Sequence, residues 1–409
     1  MPDPESFNGK LNKLLPLLNQ NDLLKAARLF KIDLIAALSN QQSSLPTILN
    51  PVNKIYPRKG SGIAISVGGT YGYVSYFNIT QKGIIRFFNR KKFDIPLMLT
   101  KKELFDLLAK ELFFVAKNKT EIGPVGISFA YALQPLLHQG VLDGKLLEMS
   151  KDRNIKGLVG EMVGWEFRQF LRSKYNIKTK VSVANDAISL LIGGGGIEVA
   201  GVIGTGLNFV YWEKRSAIAP MKLNCLFGFS QNEVAVNIEA SNFNKIPATT
   251  LREKVDKKSI DSGSALAEKE VSGAYLYKIF NAGKDELLGK NFPTLNSTDQ
   301  LDSIRTGSYD FSGENKNSAG DAANFADRIF QRSAQIVAIE LCGIFLKLKK
   351  SKGLIPVIID GGLFWNVKNY PALVNLYVNM IMPEAIPSFT RLFGSSRRGI
   401  AILAVNQNF

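Results

Sequence analysis

Val202-Ile203-Gly204-Thr205-Gly206 has a counterpart earlier in the chain, Ile63-Ala64-Ile65-Ser66-Val67-Gly68-Gly69-Thr70. In each, a run of β-forming residues enters a tight turn of glycine and threonine. A second such run leaves it, over 71–79 in the first case and 207–212 in the second. Glycine adopts positive φ and lets a ligand come close to the main chain. Threonine adds a hydroxyl, and N–H groups bared in such a turn form a concavity for anions. Either turn alone is explained by a plain β-hairpin, which glycine favours anyway. Two of them in one chain suggest two turns facing one polyphosphate.

The 409 residues suffice for two domains or two large lobes, and a hydrophobic share of 45% can build sizeable cores. The polar start, Met1-Pro2-Asp3-Pro4-Glu5, does not read as a targeting signal. The apolar run nearest to membrane length, 336–348, carries Glu340 and ends in lysines, so no membrane span is expected. Cys225 and Cys342 fit a reducing, cytoplasmic setting and cannot supply a multi-cysteine zinc cluster. His138 is the only histidine and sits at a turn edge, so the chemistry falls to carboxylates, amides, hydroxyls and lysines. The formal charge of +16 is spread out. The short clusters Arg90-Lys91-Lys92 and 347–352 lack interleaved aromatics in sequence, which favours a basic surface and no nucleic-acid partner.

Along the chain, apolar spacing predicts short helices over 8–38, interrupted near Pro16 and Gln20-Asn21. A hairpin over 63–79 and a strand over 83–88 follow. A helix over 100–117 opens on Thr100 and Glu103 at capping-box spacing. A strand is expected over 124–131, a helix over 158–175, and a strand over 180–183 that ends in Ala184-Asn185-Asp186. The run Gly193 to Gly196 reads as the cap and loop after a helix rather than a phosphate loop. Strands over 200–212 and 234–238 lead to helices over 264–281 and 322–350. Between them, 283–321 reads as polar and irregular apart from one short helix. A strand with the turn Asp360-Gly361-Gly362 and a helix near 400–405 close the chain. A strand-rich block with helices therefore occurs twice, which predicts a mixed α/β duplication with a cleft between its halves.

The order of segments over roughly 30–405 resembles hexokinase, a member of the sugar-kinase, actin and heat-shock-chaperone fold. Gly68-Gly69-Thr70 is similar to the family's first phosphate loop, and 126–131 to its sugar-binding strand. Ser150-Lys151 resembles the Thr-Lys sugar pair, Val183-Ala184-Asn185-Asp186 the catalytic segment, and 201–208 the second phosphate loop. Asn237-Ile238-Glu239 resembles the next sugar-contacting strand. The longest match runs Asp256-x-x-Ser259-x-x-x-Gly263, Glu268-Lys269, Ser272-Gly273-x-Tyr275-Leu276. Ser66 stands where the family has an Asp that helps hold the Mg²⁺ water shell, and Tyr73 where it has an Arg. Ala130 replaces a sugar-contacting Ser, Leu207 a small polar residue and Asp261 an Asn.

The resemblance implies an α/β fold of two lobes, each a mixed five-stranded ribonuclease-H-like sheet with flanking helices, with a cleft between them. It divides the chain into N-terminal helices packing on the large lobe (1–59), a small lobe (60–186), a large lobe (187–394) and a C-terminal helix returning toward the small lobe (395–409). The implied activity is ATP-dependent phosphorylation of the 6-hydroxyl of a glucose-like hexose. Such transfer needs in-line positioning, charge neutralisation and acceptance of the hydroxyl proton. Asp186, at a strand end before a helix, is the candidate base; a helix cap is the plainer role for that position. Ser150, Lys151, Asn185, Asn208, Glu239 and Glu268 are the candidate sugar contacts. ATP would meet Gly68, Gly69, Thr70, Gly204, Thr205 and Gly206, with Gly361, Gly362 and Ser396 toward the adenosine. Mg²⁺ would be held through the phosphates, with no protein metal ligands. Two alternatives stay open: a weak or inactive sugar or nucleotide sensor, motivated by Ser66, Tyr73 and Ala130, and a sugar-independent ATPase of the same fold.

Overall fold

The computed structural model describes residues 6–69, 71–116, 122–149, 154–311, 318–392 and 394–406. Its contacts divide it into two compact units. One comprises 1–46, 201–209 and 238–391; the other comprises 47–200, 210–237 and 392–409.

The chain opens with α1 (Phe7–Leu14) and α2 (Gln20–Leu38), both capped by side chains: Ser6 accepts from the Gly9 N–H and Asn19 from that of Asp22. The short strand β1 (Ile48–Asn50) follows. Next come β2 (Gly60–Val67), β3 (Tyr71–Ile79), β4 (Ile85–Asp94) and β5 (Met98–Thr100). Helix α3 (Lys101–Val115) begins at the expected capping box, with Thr100 and Glu103 each satisfying the other's main chain. Then run β6 (Val125–Phe129), β7 (Leu133–His138), β8 (Val141–Leu146), β9 (Asn154–Lys156), α4 (Val163–Tyr175), β10 (Val181–Asn185) and α5 (Asp186–Gly193). The hairpin β11 (Val199–Ile203) and β12 (Leu207–Lys214) precedes α6 (Pro220–Leu223) and β13 (Glu233–Asn237). The helices α7 (Thr250–Asp256), α8 (Glu268–Val271), α9 (Leu276–Leu287), α10 (Thr298–Thr306) and α11 (Ala319–Lys347) follow. The chain closes with β14 (Gly353–Asp360), α12 (Gly362–Asn366), α13 (Tyr370–Ile381), β15 (Ala385–Thr390) and α14 (Ser395–Val405).

Two expected helices differ. The segment 158–175 becomes helical only at Val163, because Gly157 and Gly160 adopt positive φ in a preceding turn. The segment 264–281 is broken between α8 and α9, where Ser272 is extended. The hairpin β7–β8 and the pair α13–β15 lie in segments for which no element was expected.

In the second unit the five-stranded sheet has the order β10–β6–β2–β3–β4. Its three parallel strands share one pattern, large residues alternating with small ones: Ile63-Ala64-Ile65-Ser66-Val67, Val125-Gly126-Ile127-Ser128-Phe129 and Val181-Ser182-Val183-Ala184-Asn185. Side chains alternate across a sheet. The large residues join the core formed with α3 and α4, where Leu104, Leu108, Leu112, Phe167 and Leu171 are buried. The small ones line the other face, which α14 covers together with α5. Small size there is a steric requirement: a Cβ on Gly126 would lie 2.4 Å from the Ile400 carbonyl oxygen, and one on Gly399 would lie 1.7 Å from that of Ser189. The same unit holds β1, β13 and residues 210–214 of β12, paired antiparallel.

The first unit is organised around α11, which packs against α2, α8, α9, α10 and α13. Gly343 lets Phe30 lie against it, since a Cβ there would stand 2.6 Å from the Phe30 ring. The Gln335 side chain both accepts from the Leu18 N–H (3.0 Å) and donates to the Leu18 carbonyl (2.9 Å), tying down the segment between α1 and α2. By length and composition α11 could cross a membrane, but 89% of its apolar window is buried within the protein, as in a core helix. Its unit also contains parallel β14 and β15, in the order β12–β11–β14–β15 with residues 207–209 of β12.

Candidate active site

The sheet register brings several candidates of the second unit to one edge. Val67 pairs with Phe129 on β6, and Phe129 with Asn185 on β10. One residue further along each strand come Gly68, Ala130 and Asp186. This is the carboxyl edge of three parallel strands, where α/β sheets bind ligands. The Gly68 N–H closes its turn on the Tyr71 carbonyl at 3.1 Å. A Cβ on Gly68 would meet that oxygen at 2.8 Å, so the turn needs glycine. Thr70, Ser150 and Lys151 lie outside the described residues.

The capping role weighed for Asp186 belongs chiefly to its neighbour. The cap of α5 is Asn185, whose Oδ1 accepts from the Ala187 N–H at 3.0 Å. Its Nδ2 donates to the Tyr131 carbonyl at 3.3 Å, and the side chain is buried. Asn185 therefore locks the strand end. Asp186, the first residue of α5, is half-buried, with Oδ1 2.8 Å from the Ala187 nitrogen. A carboxylate there also sits in the favourable field of a helix N-terminus.

Helix α14 lies along the small-residue face with its C-terminal end at the opposite edge: a Cβ on Gly60 would stand 2.8 Å from Val405. Ile400 reaches Gly126 midway, so the first turn of α14, with half-buried Ser396, lies toward the edge that carries Gly68 and Asp186.

The first unit holds the other candidates, and hydrogen bonds tie them together. The Leu207 N–H, one residue after the second turn, donates to Glu268 Oε2 at 2.8 Å. The next residue, Asn208, accepts from the Ala240 N–H at 3.4 Å, adjacent to Glu239. Glu239 has φ +54°, a left-handed conformation uncommon outside glycine, directly after β13. The turn itself is built of main chain in contact. Gly204 donates to the Gly206 carbonyl at 3.0 Å and accepts from the Gly273 N–H at 2.8 Å. Gly361, at φ +124°, presses on it, since a Cβ there would come within 2.2 Å of the Ile203 carbonyl oxygen. Gly362 is less confined, with only the Asn366 side chain near a Cβ, at 3.4 Å. Thr205 is exposed.

The long sequence match around Asp256 has a structural explanation. Asp256 accepts from the Gly263 N–H at 3.0 Å and from fully buried Lys269 at 2.6 Å. Lys269 also reaches the Asp261 carbonyl at 2.9 Å. Burial works against the Asp256 charge, yet the Lys269 ammonium and the Gly263 N–H hold its carboxyl below the ordinary value. The clamp fixes the turn before α8, whose first residue is Glu268. Among the described residues no group of three or more His, Cys, Asp or Glu forms a metal cage.

One group went unnoticed in the sequence. The Arg397 guanidinium stands 5.3 Å from the Tyr73 ring centre, and Arg90 stands 5.8 Å from Phe87. Aromatics do accompany the Arg90-Lys91-Lys92 cluster: Tyr71 of β3 under Lys92, Phe87 of β4 itself under Arg90, and Phe114 of α3 under Lys91. The signal available was Arg397-Arg398 directly after Ser396.

Two family models match the chain, both described as hexokinase, one over residues 15–195 and the other over 198–405. Hexokinase-2 of Solanum tuberosum is 25% identical to it, across 94% of this chain and 88% of its own. The Hexokinase-like 1 protein of Arabidopsis thaliana is 26% identical, across 76% and 71%. Among solved structures, a hexokinase from Schistosoma mansoni complexed with glucose is similar with a TM-score of 0.82 at 19% identity, covering 98% of this chain and 99% of that one. That likeness shows the two-lobed, mixed α/β fold.

Proposed function

Because the chain belongs to the hexokinase family, whose members phosphorylate an alcohol group with ATP as cosubstrate, we propose that it transfers the terminal phosphoryl group of ATP to the 6-hydroxyl of a glucose-like hexose, with Asp186 as base. The observation that carries the reading is the register of β2, β6 and β10, which sets Asp186 on the same sheet edge as the Gly68 turn. As the hydroxyl oxygen bonds to the terminal phosphorus, the bond to the bridging oxygen breaks and ADP leaves. The hydroxyl proton passes to the Asp186 carboxylate. Asn185 contributes by fixing the strand end from which Asp186 projects.

Asn208, Glu239 and Glu268 are proposed to read the sugar hydroxyls. Carboxylates and amides suit that task, since a buried group left unpaired costs about 1–3 kcal/mol and so disfavours wrong isomers. Ser150 and Lys151 join them on the resemblance alone. Phosphates are proposed to meet the turns at Gly68-Gly69-Thr70 and Gly204-Thr205-Gly206, with Gly361, Gly362 and Ser396 toward the adenosine. Mg²⁺, when carried in by the phosphates, would neutralise their charge. At the sheet edge the Asp186 carboxylate is the one charged candidate ligand among those named, which suits a cation held mainly by its nucleotide.

The test is an ADP-release assay with glucose, mannose, fructose, N-acetylglucosamine and no sugar. Asp186→Ala should lower turnover by roughly a hundredfold to ten-thousandfold while sugar binding partly survives. Ordinary turnover in that variant removes Asp186 from the mechanism. A second reading, a sugar sensor with little or no turnover, is favoured by Ser66, which offers a hydroxyl where a carboxylate would offset metal charge. It predicts a sugar-induced rise in melting temperature without ADP release.

A further inference from the structure

Three cations gather where β3 leaves the first glycine turn, and no carboxylate among the described residues forms an ion pair with them. Besides its approach to Tyr73, the Arg397 guanidinium lies 5.8 Å from the Phe87 ring centre, the ring that Arg90 also approaches. The Lys92 ammonium lies 3.4 Å from the centre of Tyr71. Among the described residues none of Arg90, Lys92 and Arg397 takes part in an ion pair. Their neighbour Lys91 turns to the α3 side, to Glu111 at 2.6 Å. Arg397 is half-buried, and burial, then the like charge of Arg90, both pull its proton affinity below the ordinary guanidinium value. Aromatic faces offset part of that cost. Guanidinium groups held together without an acid remain unfavourable until an anion joins them.

The place tells which anion. Tyr73 is paired with Ser66 across β2 and β3. At about 3.3 Å per residue, that pair lies roughly 7 Å from Gly68 along the hairpin. Arg397 itself belongs to the first turn of α14, whose N–H groups and helix dipole favour negative charge. The Gly68 turn, the helix start and the stacked guanidinium all lie toward one edge of one sheet.

We propose that Arg397, with Arg90 behind it, binds the phosphate tail of the phosphoryl donor at the Gly68 turn, so that α14 supplies a charge the hairpin itself lacks. This rests on the kinase reading only for the identity of the donor. Tyr73 and Phe87 hold the planar fork of the guanidinium, which a lysine would present only as a point charge.

Calorimetry of the full chain with ATP, AMP and inorganic tripolyphosphate, alongside KM values for ATP and glucose, tests it. In Arg397→Ala, ATP and tripolyphosphate should bind about tenfold more weakly, with AMP affinity and the KM for glucose little changed. Arg397→Lys should fall between. Arg397→Gln keeps most of the packing stem and should repeat the loss should the alanine variant fold poorly. Moving the charge, with Tyr73→Arg added to Arg397→Ala, should recover binding. Unchanged ATP and tripolyphosphate affinity in both Arg397→Ala and Arg397→Gln overturns the proposal. So does an equal loss for AMP and ATP, which would mark a general effect on the fold. Tripolyphosphate binding that depends on Arg397, in a protein without sugar-dependent ADP release, sinks the kinase reading and upholds this site. Sugar-dependent turnover indifferent to Arg397 does the reverse.

Discussion

The main-chain N–H of Leu207 donates to the Glu268 carboxylate across 2.8 Å, so the residue that ends the second glycine turn is pinned by the first residue of α8. Glu268 thereby has two separable properties, an acceptor for the turn and a negative charge. Glu268→Gln keeps an acceptor and should preserve the turn, raising the KM for the hexose about tenfold with the KM for ATP nearly unchanged. Glu268→Ala strips the partner from a buried N–H, a loss of about 1–3 kcal/mol, and should raise both KM values. A KM for ATP that stays at the wild-type value in Glu268→Ala would show that the hydrogen bond does not shape the turn.

On the proposed mechanism Asn185 holds the end of β10 and Asp186 acts as the base, and substitution should separate the two roles. Asn185→Ala removes the cap of α5 and the bond to the Tyr131 carbonyl. It should lower stability by about 1 kcal/mol and reduce kcat through a displaced Asp186. Asn185→Ser, which can still cap, should recover the stability. Asp186→Asn should leave the melting temperature close to wild type while kcat collapses. Thermal unfolding and kcat measured on the same preparations distinguish the two.

The strand-turn-strand pairs were legible because glycine and β-forming residues act locally. So was the alternation in Ile63-Ala64-Ile65-Ser66-Val67, although its meaning needed the structure. The small residues are small because α14, from the far end of the chain, lies against them. The match from Asp256 to Lys269 was visible as a pattern, and the fold shows why: a buried lysine ties two aspartate segments into one turn. Arg397 escaped notice because its partners, Tyr73 and Phe87, are more than three hundred positions away in sequence. Strand β15 stayed hidden because Ala385-Ile386-Pro387-Ser388 carries a proline and only weak alternation; the parallel pairing with β14 decides it.

Gly399 should be among the least replaceable residues of α14. A methyl group there would meet the Ser189 carbonyl oxygen at 1.7 Å, and main chain cannot step aside as a side chain can. Gly399→Ala should destabilise by about 1–3 kcal/mol or more and lift the helix from its groove, weakening ATP binding with it. Gly320→Ala is the control. That glycine has open space around it in α11, and the helical preference of alanine should make the change neutral or stabilising by up to about 1 kcal/mol. Equal melting temperatures for the two variants would contradict the packing argument.

Glu340 offers a pH-dependent prediction. It is fully buried in α11, and neither carboxylate oxygen has a hydrogen-bond partner among the described residues. Burial pushes its pKa well above the ordinary carboxylate range. The folded protein therefore keeps this proton at pH values where the unfolded chain releases it. Where the unfolded state binds fewer protons, stability falls as pH rises, so the penalty begins near the ordinary value of about 4.5 and grows until the folded-state pKa is reached. Glu340→Met, similar in volume and without a charge to bury, should raise the melting temperature, and by more at about pH 8 than at about pH 5. Melting curves of both proteins across that range provide the measurement. A gain that is constant with pH would mean that Glu340 finds a partner in solution, and a loss at both ends would mean that its carboxyl is hydrogen-bonded in the folded protein.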